Sequence, residues 1–297
     1  MKMVFKLINI YSKILSKVGN ICKVPFLFYK VKNNIIISSL IDILDEADSK
    51  VKTYESYEES EFHIWIMWWQ GYDTAPKIVK SNYKRLKKIF GNKVIFLSKD
   101  NIRKLTNINN LLWKKLDDGV IDFTHWSDII RVNILKNHGG LWIDSTVLVS
   151  PKAKKYIYAQ KNKEFYSINF DDYKYISGGK WIIGFMGGSP HTKVFEFLNY
   201  FYELYFMNYN EIVDYFLTDD AIYYYYIKHK DFRNCVSAYQ RTWRPYYFSN
   251  HFKDTCLKKY IKLFLNSEVY SIQIFRYSNE KVEKSSLYNW MIYSKLK

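Results

Sequence analysis

The segment Trp126–Thr146 constrains the fold more than any other part of this chain. Ser127 suits a helix N-cap, because its hydroxyl can accept from an unpaired N–H of the first turn. The helix it opens runs to about Asn137, and Gly139 supplies a residue type able to end it in a left-handed turn. Leu141, Trp142 and Ile143 then form a short strand without a polar residue, the pattern of a strand buried on both faces. Asp144, Ser145 and Thr146 follow where that strand ends. A helix passing through glycine into a wholly apolar strand belongs to an α/β architecture.

The flanking sequence repeats the alternation. Phe62–Trp69 has strand character and leads into a loop at Gln70, Gly71 and Tyr72. Pro76 suits the first turn of a helix that runs to Phe90, with Gly91 as its stop signal. Lys93–Leu97 is a second strand, and shorter helical pieces lie between Asp100 and Leu116. Farther on, Lys163–Asn169 and Trp181–Met186 have strand character, whereas His191–Met207 and Glu211–His229 are helical and rich in aromatics. The region after Arg233 is irregular and basic. The pattern predicts a mostly parallel sheet flanked by helices over residues 62–297, with a nucleotide-binding half at 62–150 and an acceptor half at 151–297. Residues 1–61 stand apart. Val4, Leu7, Ile8, Tyr11, Ile14, Leu15 and Val18 recur at helical spacing with lysines between them, and Asp42–Glu61 is an acidic helix or linker.

Charge and composition narrow the partners. A formal charge of +16 attracts phosphates, whether of nucleic acid, a nucleotide sugar or a membrane. The lysines are spread along the chain, and neither a zinc-finger spacing nor an RNA-binding aromatic signature is present, so nucleic acid ranks last. The 28 Tyr, 20 Phe and 9 Trp suit stacking on bases or sugar rings, although a low-GC genome writes the same bias. Cys22, Cys235 and Cys256 are far apart and odd in number, which fits a reducing cytoplasm better than a disulfide framework or a metal pair. Lys6 and Lys13 interrupt the apolar stretch a secretory signal needs, and charge-free runs fall short of the roughly 20 residues of a membrane span. The expectation is a cytoplasmic protein. Its basic N-terminal helix either lies peripherally on the anionic inner face of the plasma membrane, packs on the catalytic domain, or contacts a second copy.

Open α/β sheets bind ligands beyond the carboxyl ends of their strands. Asp144 stands there, and with the Thr146 hydroxyl it can hold a hard divalent cation, Mn2+ or Mg2+, through oxygen. Such a cation would bridge the two phosphates of a nucleotide sugar. Asp128 and Arg131, three residues apart near a helix start, are neighbours in space. They form either a simple salt bridge or a donor contact, with Asp128 on ribose or sugar hydroxyls and Arg131 supplying positive charge. Trp142, Ser145 and Thr146 border the same donor site. Trp68, Trp69 or Tyr72 can stack on the nucleobase, and alternation along a strand allows only one of the two tryptophans to face the ligand. Gln70, beside Gly71, can bond the base or ribose from the loop. Asp219 or Asp220, at a predicted helix start, binds sugar hydroxyls or lies on a solvated helix face. Lys180 and Trp181 border an acceptor cleft. In the basic C-terminal region, His251 or Arg276 can close over the diphosphate.

Ser127-Asp128-Ile129-Ile130-Arg131, followed by Gly139-Gly140-Leu141-Trp142-Ile143-Asp144-Ser145-Thr146, resembles the capsular polysaccharide synthesis proteins. That family is related to the glycosyltransferases carrying the DXD sugar-binding motif (family 32). Ile64–Gly71 with Ala75-Pro76, Gly187–His191 and Asp214–Asp220 are similar to further blocks, so the resemblance covers residues 62–225. It implies a GT-A-like, Rossmann-like fold and a retaining transfer from a nucleoside-diphosphate sugar, a UDP-sugar above others, to a glycan or lipid-linked glycan acceptor. Asp144-Ser145-Thr146 departs from Asp-x-Asp, leaving one carboxylate where relatives place two. Two other readings stand beside it: a toxin-type transferase acting on protein, and a non-catalytic glycan-binding protein derived from a transferase.

Overall fold

The structure, a computed structural model, describes residues 2–22, 25–52, 61–170, 176–237, 244–267, 271–275 and 282–294. The chain opens with three helices, α1 (Lys2–Ile21), α2 (Pro25–Ser39) and α3 (Ile41–Ser49). Strand β1 (Ile64–Met67), helix α4 (Lys77–Phe90) and strand β2 (Val94–Leu97) follow. Next come α5 (Ile102–Leu105), α6 (Asn110–Asp117), α7 (Phe123–His138), β3 (Gly140–Ile143) and the short β4 (Leu148–Val149). After α8 (Ala153–Ala159), β5 (Tyr166–Ser167) and β6 (Phe185–Gly188) come α9 (Lys193–Asn208), α10 (Leu217–Lys228) and α11 (Lys230–Ser237). The C-terminal part holds α12 (Tyr247–Asn250), α13 (Lys258–Asn266), β7 (Ile272–Gln273) and α14 (Leu287–Tyr293).

The central sheet has the order β2-β1-β3-β6-β5. β1 pairs in parallel with β2 and β3, β6 runs antiparallel to β3, and β5 runs antiparallel to β6, so four of the five strands point one way. Helices flank it: α4 packs on β2 and α7 on β3, while α9 packs on α7. The fold is thus mixed α/β with a mostly parallel sheet, as the alternating pattern predicts.

The Gly139-Gly140 pair makes the central block possible. Gly139 ends α7 at φ 63°, where its N–H donates to Leu135 O at 2.9 Å. Gly140 has φ 92°, and a Cβ there would lie 2.3 Å from the carbonyl oxygen of His63. No L side chain fits that approach, so β3 comes flush against the chain entering β1. Trp65 Nε1 donates to Gly139 O at 2.8 Å and ties the two together.

Several boundaries differ from the sequence expectation. The α7 cap is Asp122, whose Oδ1 accepts from the N–H groups of Thr124 and His125, so Ser127 lies a turn inside the helix. Of Trp181–Met186, only Phe185 and Met186 are in β6, because Phe185 N–H donates to Ile182 O in a tight turn. The described residues of the C-terminal region are not irregular. Phe248, Tyr260, Phe264, Phe275, Leu287, Tyr288 and Met291 pack with Ala75, Ile78, Val79 and Leu148 into a second, smaller core. Contacts between such distant residues leave no local pattern in the sequence.

The N-terminal region is a helical hairpin followed by α3, which packs on α9 through Ile43, Leu44 and Ala47. Beneath it Lys32 Nζ donates to both carboxylate oxygens of Asp214 at 2.8 Å, with both side chains buried. Asp220, 1% exposed, lies beside them; burial and the negative charge of Asp214 push its carboxyl well above the usual range. A buried carboxylate stripped of its counter-ion costs more than the pair itself contributes. Lys32→Met should therefore lower unfolding stability by about 3–5 kcal/mol in urea denaturation; a loss under ~1 kcal/mol would show that the pair does not hold the hairpin.

Candidate functional site

The three parallel strands end on one side of the sheet, at Met67, Leu97 and Ile143. β2 lies on one side of β1 and β3 on the other, so the chain's order reverses beside β1. Open α/β sheets form their ligand crevice at such a switch point. The loop Trp68–Tyr72 follows β1 and the turn Asp144–Thr146 follows β3. The first is stitched to β2, with Trp68 N–H donating to Leu97 O and Lys99 N–H to Trp69 O.

Asp144 is held from three directions. Its N–H donates to Gly184 O at 2.8 Å. Its Oδ1 accepts from Arg131 Nη2 at 3.0 Å and from Trp142 Nε1 at 2.7 Å. Its Oδ2 faces Gly184, where a Cβ would stand 2.6 Å away. Only glycine leaves room for the carboxylate in that rotamer. The Asp144 side chain is 40% exposed, in contrast to its partners Arg131 and Asp128 at 4% and 6%.

Arg131 is the hub. Nη1 donates to Asp128 Oδ1 while Nη2 reaches Asp144. Burial works against its charge, but the carboxylates of Asp144 and Asp128 outweigh burial and hold the guanidinium above its ordinary value. Asp128 Oδ2 in turn accepts from Thr218 Oγ1 at 2.9 Å, and Thr218 hydrogen-bonds Tyr202 Oη at 2.5 Å. Arg131 is thus deeply buried, and its guanidinium bridges Asp128 and Asp144.

Asp219, the next residue of α10, accepts from Trp181 Nε1 at 2.8 Å. Burial pushes its carboxyl up to about 7, against the Trp181 hydrogen bond, and the charge of Asp128 adds to the rise. Lys180, half-buried, lies 5.5 Å from the centre of the Tyr226 ring, and burial lowers its ammonium.

The remaining expected residues divide. Trp69 stands among Trp113, Phe123 and Trp126, partly exposed, while Trp68 turns the other way onto the C-terminal core. Tyr72 packs on Tyr83 and Phe96 with Lys80 Nζ 5.6 Å from its ring centre. Gln70 is exposed in the loop, and Gly71 turns it at φ 92°. Ser145 presents its carbonyl to Asn82 Nδ2 at 3.0 Å, and Thr146 Oγ1 donates to Phe275 O at 3.0 Å. Asp220 faces Lys32 and Asp214 rather than this cluster. Arg276 lies outside the described residues. Thr218, Tyr202, Gly184 and Asn82 were not singled out from sequence. Thr218 alone carried a signal, its place between Asp214 and Asp219.

Asp128, Asp144 and Arg131 together carry one excess negative charge, and Asp144 and Thr146 both lie in the turn that follows β3. Among the described residues no group of three His, Cys, Asp or Glu side chains could hold a metal by itself. One carboxylate oxygen and a hydroxyl fit a hard cation shared with substrate phosphates, which is how Mg2+ is commonly bound.

A family model described as capsular polysaccharide synthesis protein matches residues 17–296. The chain belongs to that family. No curated protein and no solved structure matches it. The match spans the Asp128–Arg131–Asp144 cluster, and it takes in the N-terminal hairpin from residue 17 and the C-terminal core as well.

Because the folded chain holds the Asp219 proton more tightly than the unfolded one, ionising it costs stability. That cost begins above the ordinary value of 3.8 and is complete above about 7. Asp219→Asn should therefore raise the thermal midpoint more at pH 8 than at pH 5; equal shifts at both values would show that Asp219 ionises normally.

Proposed function

We propose that this chain is a retaining glycosyltransferase of GT-A architecture, akin to the DXD-motif enzymes. It moves a sugar from a nucleoside-diphosphate donor, a UDP-sugar first among candidates, to a capsular, cell-wall or lipooligosaccharide acceptor. The observation that carries the reading is Asp144. It is a half-exposed carboxylate at the carboxyl end of a parallel strand, aimed by a buried arginine and a tryptophan and given room by a glycine.

Catalysis on this reading rests on positioning and charge. The bond from the sugar's anomeric carbon to the diphosphate breaks while the acceptor oxygen bonds the same face of that carbon. The acceptor proton passes to the departing phosphate oxygen. Asp144 Oδ2 and Thr146 Oγ1 would hold Mn2+ or Mg2+, which supplies positive charge to the diphosphate when bound. Trp69 or Tyr72 offers a face to the base, and Gln70 reaches it from the loop. Asp219, anchored by Trp181, accepts hydrogen bonds from sugar hydroxyls, more strongly once ionised.

Calorimetry of UDP with and without Mn2+ tests the site. Binding should require the metal and should vanish in Asp144→Ala. Gly184→Ala should weaken it about 10–100-fold by displacing the carboxylate that its Cβ meets. Undiminished binding by Asp144→Ala would remove Asp144 from the site, and no binding of UDP, GDP or CMP would end the transferase reading. In turnover, kcat should rise as pH climbs through about 7, the value to which burial lifts Asp219, and Asp219→Asn should flatten that limb.

A further inference from the structure

The α1–α2 hairpin leaves a long apolar stripe uncovered. Leu7, Ile10, Tyr11, Ile14, Val18 and Ile21 are all exposed and lie on one face of α1, at i, i+3, i+4, i+7, i+11 and i+14. Leu27 and Val31 are exposed on α2 at i, i+4. These eight residues are more than half of the fifteen exposed large hydrophobics among the described residues. The other side of α1 faces the protein, with Ile8 packed against the main core and Gly19 buried.

Within the hairpin's own sequence the charge is of one sign. Residues 1–41 contain seven lysines and neither aspartate nor glutamate. Lys32 is turned inward to Asp214, whereas Lys13, Lys17 and Lys30 are exposed beside the apolar face. A second copy of the chain is a poor occupant, because joining two such faces sets lysine against lysine with no acid on either side. An anionic lipid surface suits both halves of the pattern, the stripe entering the acyl boundary and the lysines meeting headgroup phosphates. No helix among the described residues is long and apolar enough to cross a membrane.

We propose that the α1–α2 hairpin is a docking surface that lies flat on an anionic bilayer. The inference does not depend on the transferase reading, since it uses no residue of the Asp144 cluster. Docking is braced from within. The Lys32–Asp214 pair and the packing of α2 on α10 transmit the hairpin's attachment to the helix that carries Thr218 and Asp219.

Co-sedimentation of the full chain with phosphatidylcholine vesicles, with and without phosphatidylglycerol, tests this. Wild type should partition to the anionic vesicles and release as salt is raised. Lys13→Gln/Lys17→Gln should weaken partition roughly thirtyfold, at about 1 kcal/mol per lysine near the surface. Ile10→Ser/Ile14→Ser should weaken it about tenfold or more, with an unchanged far-ultraviolet circular dichroism spectrum. Should the isoleucine variant misfold, the lysine variant carries the test alone. Equal binding to neutral and anionic vesicles by wild type and both variants would overturn the proposal. So would an absence of vesicle binding together with a dimer that Ile10→Ser/Ile14→Ser dissolves.

Discussion

Everything near the strand end depends on one buried guanidinium held by two carboxylates. Arg131 cannot be removed without stranding Asp128, buried with it, and freeing Asp144 to turn away. A buried ion pair contributes little to stability relative to apolar packing, because both charges give up water. Its worth here is directional. The planar fork of arginine fixes two acceptors at a set angle, which a lysine's single point charge cannot do. Trp142 Nε1 adds a third constraint on the same Oδ1, leaving Oδ2 as the oxygen that lies against Gly184.

That arrangement also explains the electrostatics of α10. Thr218 is committed to Asp128, which brings Asp219 within reach of a charge of its own sign. Burial contributes most to the raised carboxyl and Asp128 adds to it, so the cluster that holds Asp144 also bears on the proton of Asp219. The chain is strongly basic overall, yet this site carries excess negative charge. A strongly basic chain attracts anions in general, whereas the local excess of carboxylate charge around Asp144 opposes them.

The central block was legible because its signals are local. Three-residue spacing on a helix makes Asp128 and Arg131 neighbours, and the glycine pair with an apolar strand places Asp144 at the carboxyl edge of the sheet. The N-cap was misplaced because Asp122 and Ser127 are both good caps, and what separates them is that Asp122 captures two N–H groups at once. Gly184, Thr218 and Tyr202 were hidden for a different reason. Each meets the cluster from far along the chain, and a glycine needed for one carboxylate's rotamer looks in sequence like any other turn residue. The second core behind Phe275 escaped for the same cause, since it joins residues 75–79 to residues near 290.

The N-terminal region shows where composition misleads and charge accounting helps. Apolar residues at helical spacing are ambiguous between core and interface, and α1 and α2 use both meanings at once, with Ile8 inward and Ile10 outward. Lysine is equally divided: Lys32 is spent on Asp214 in the interior while Lys13 and Lys17 remain in water. The inward lysine is the more informative of the two kinds. An ammonium is not buried against a carboxylate to attract lipid; it locks α2 to the segment that starts α10. Burial and the negative charge of Asp214 push the Asp220 carboxyl well above its usual range, which favours the neutral form and eases the crowding of three ionisable groups there. The hairpin is thereby joined through one buried ion pair and the packing of α2 on α10 to the helix bearing Thr218, and so to the Asp128–Arg131–Asp144 cluster.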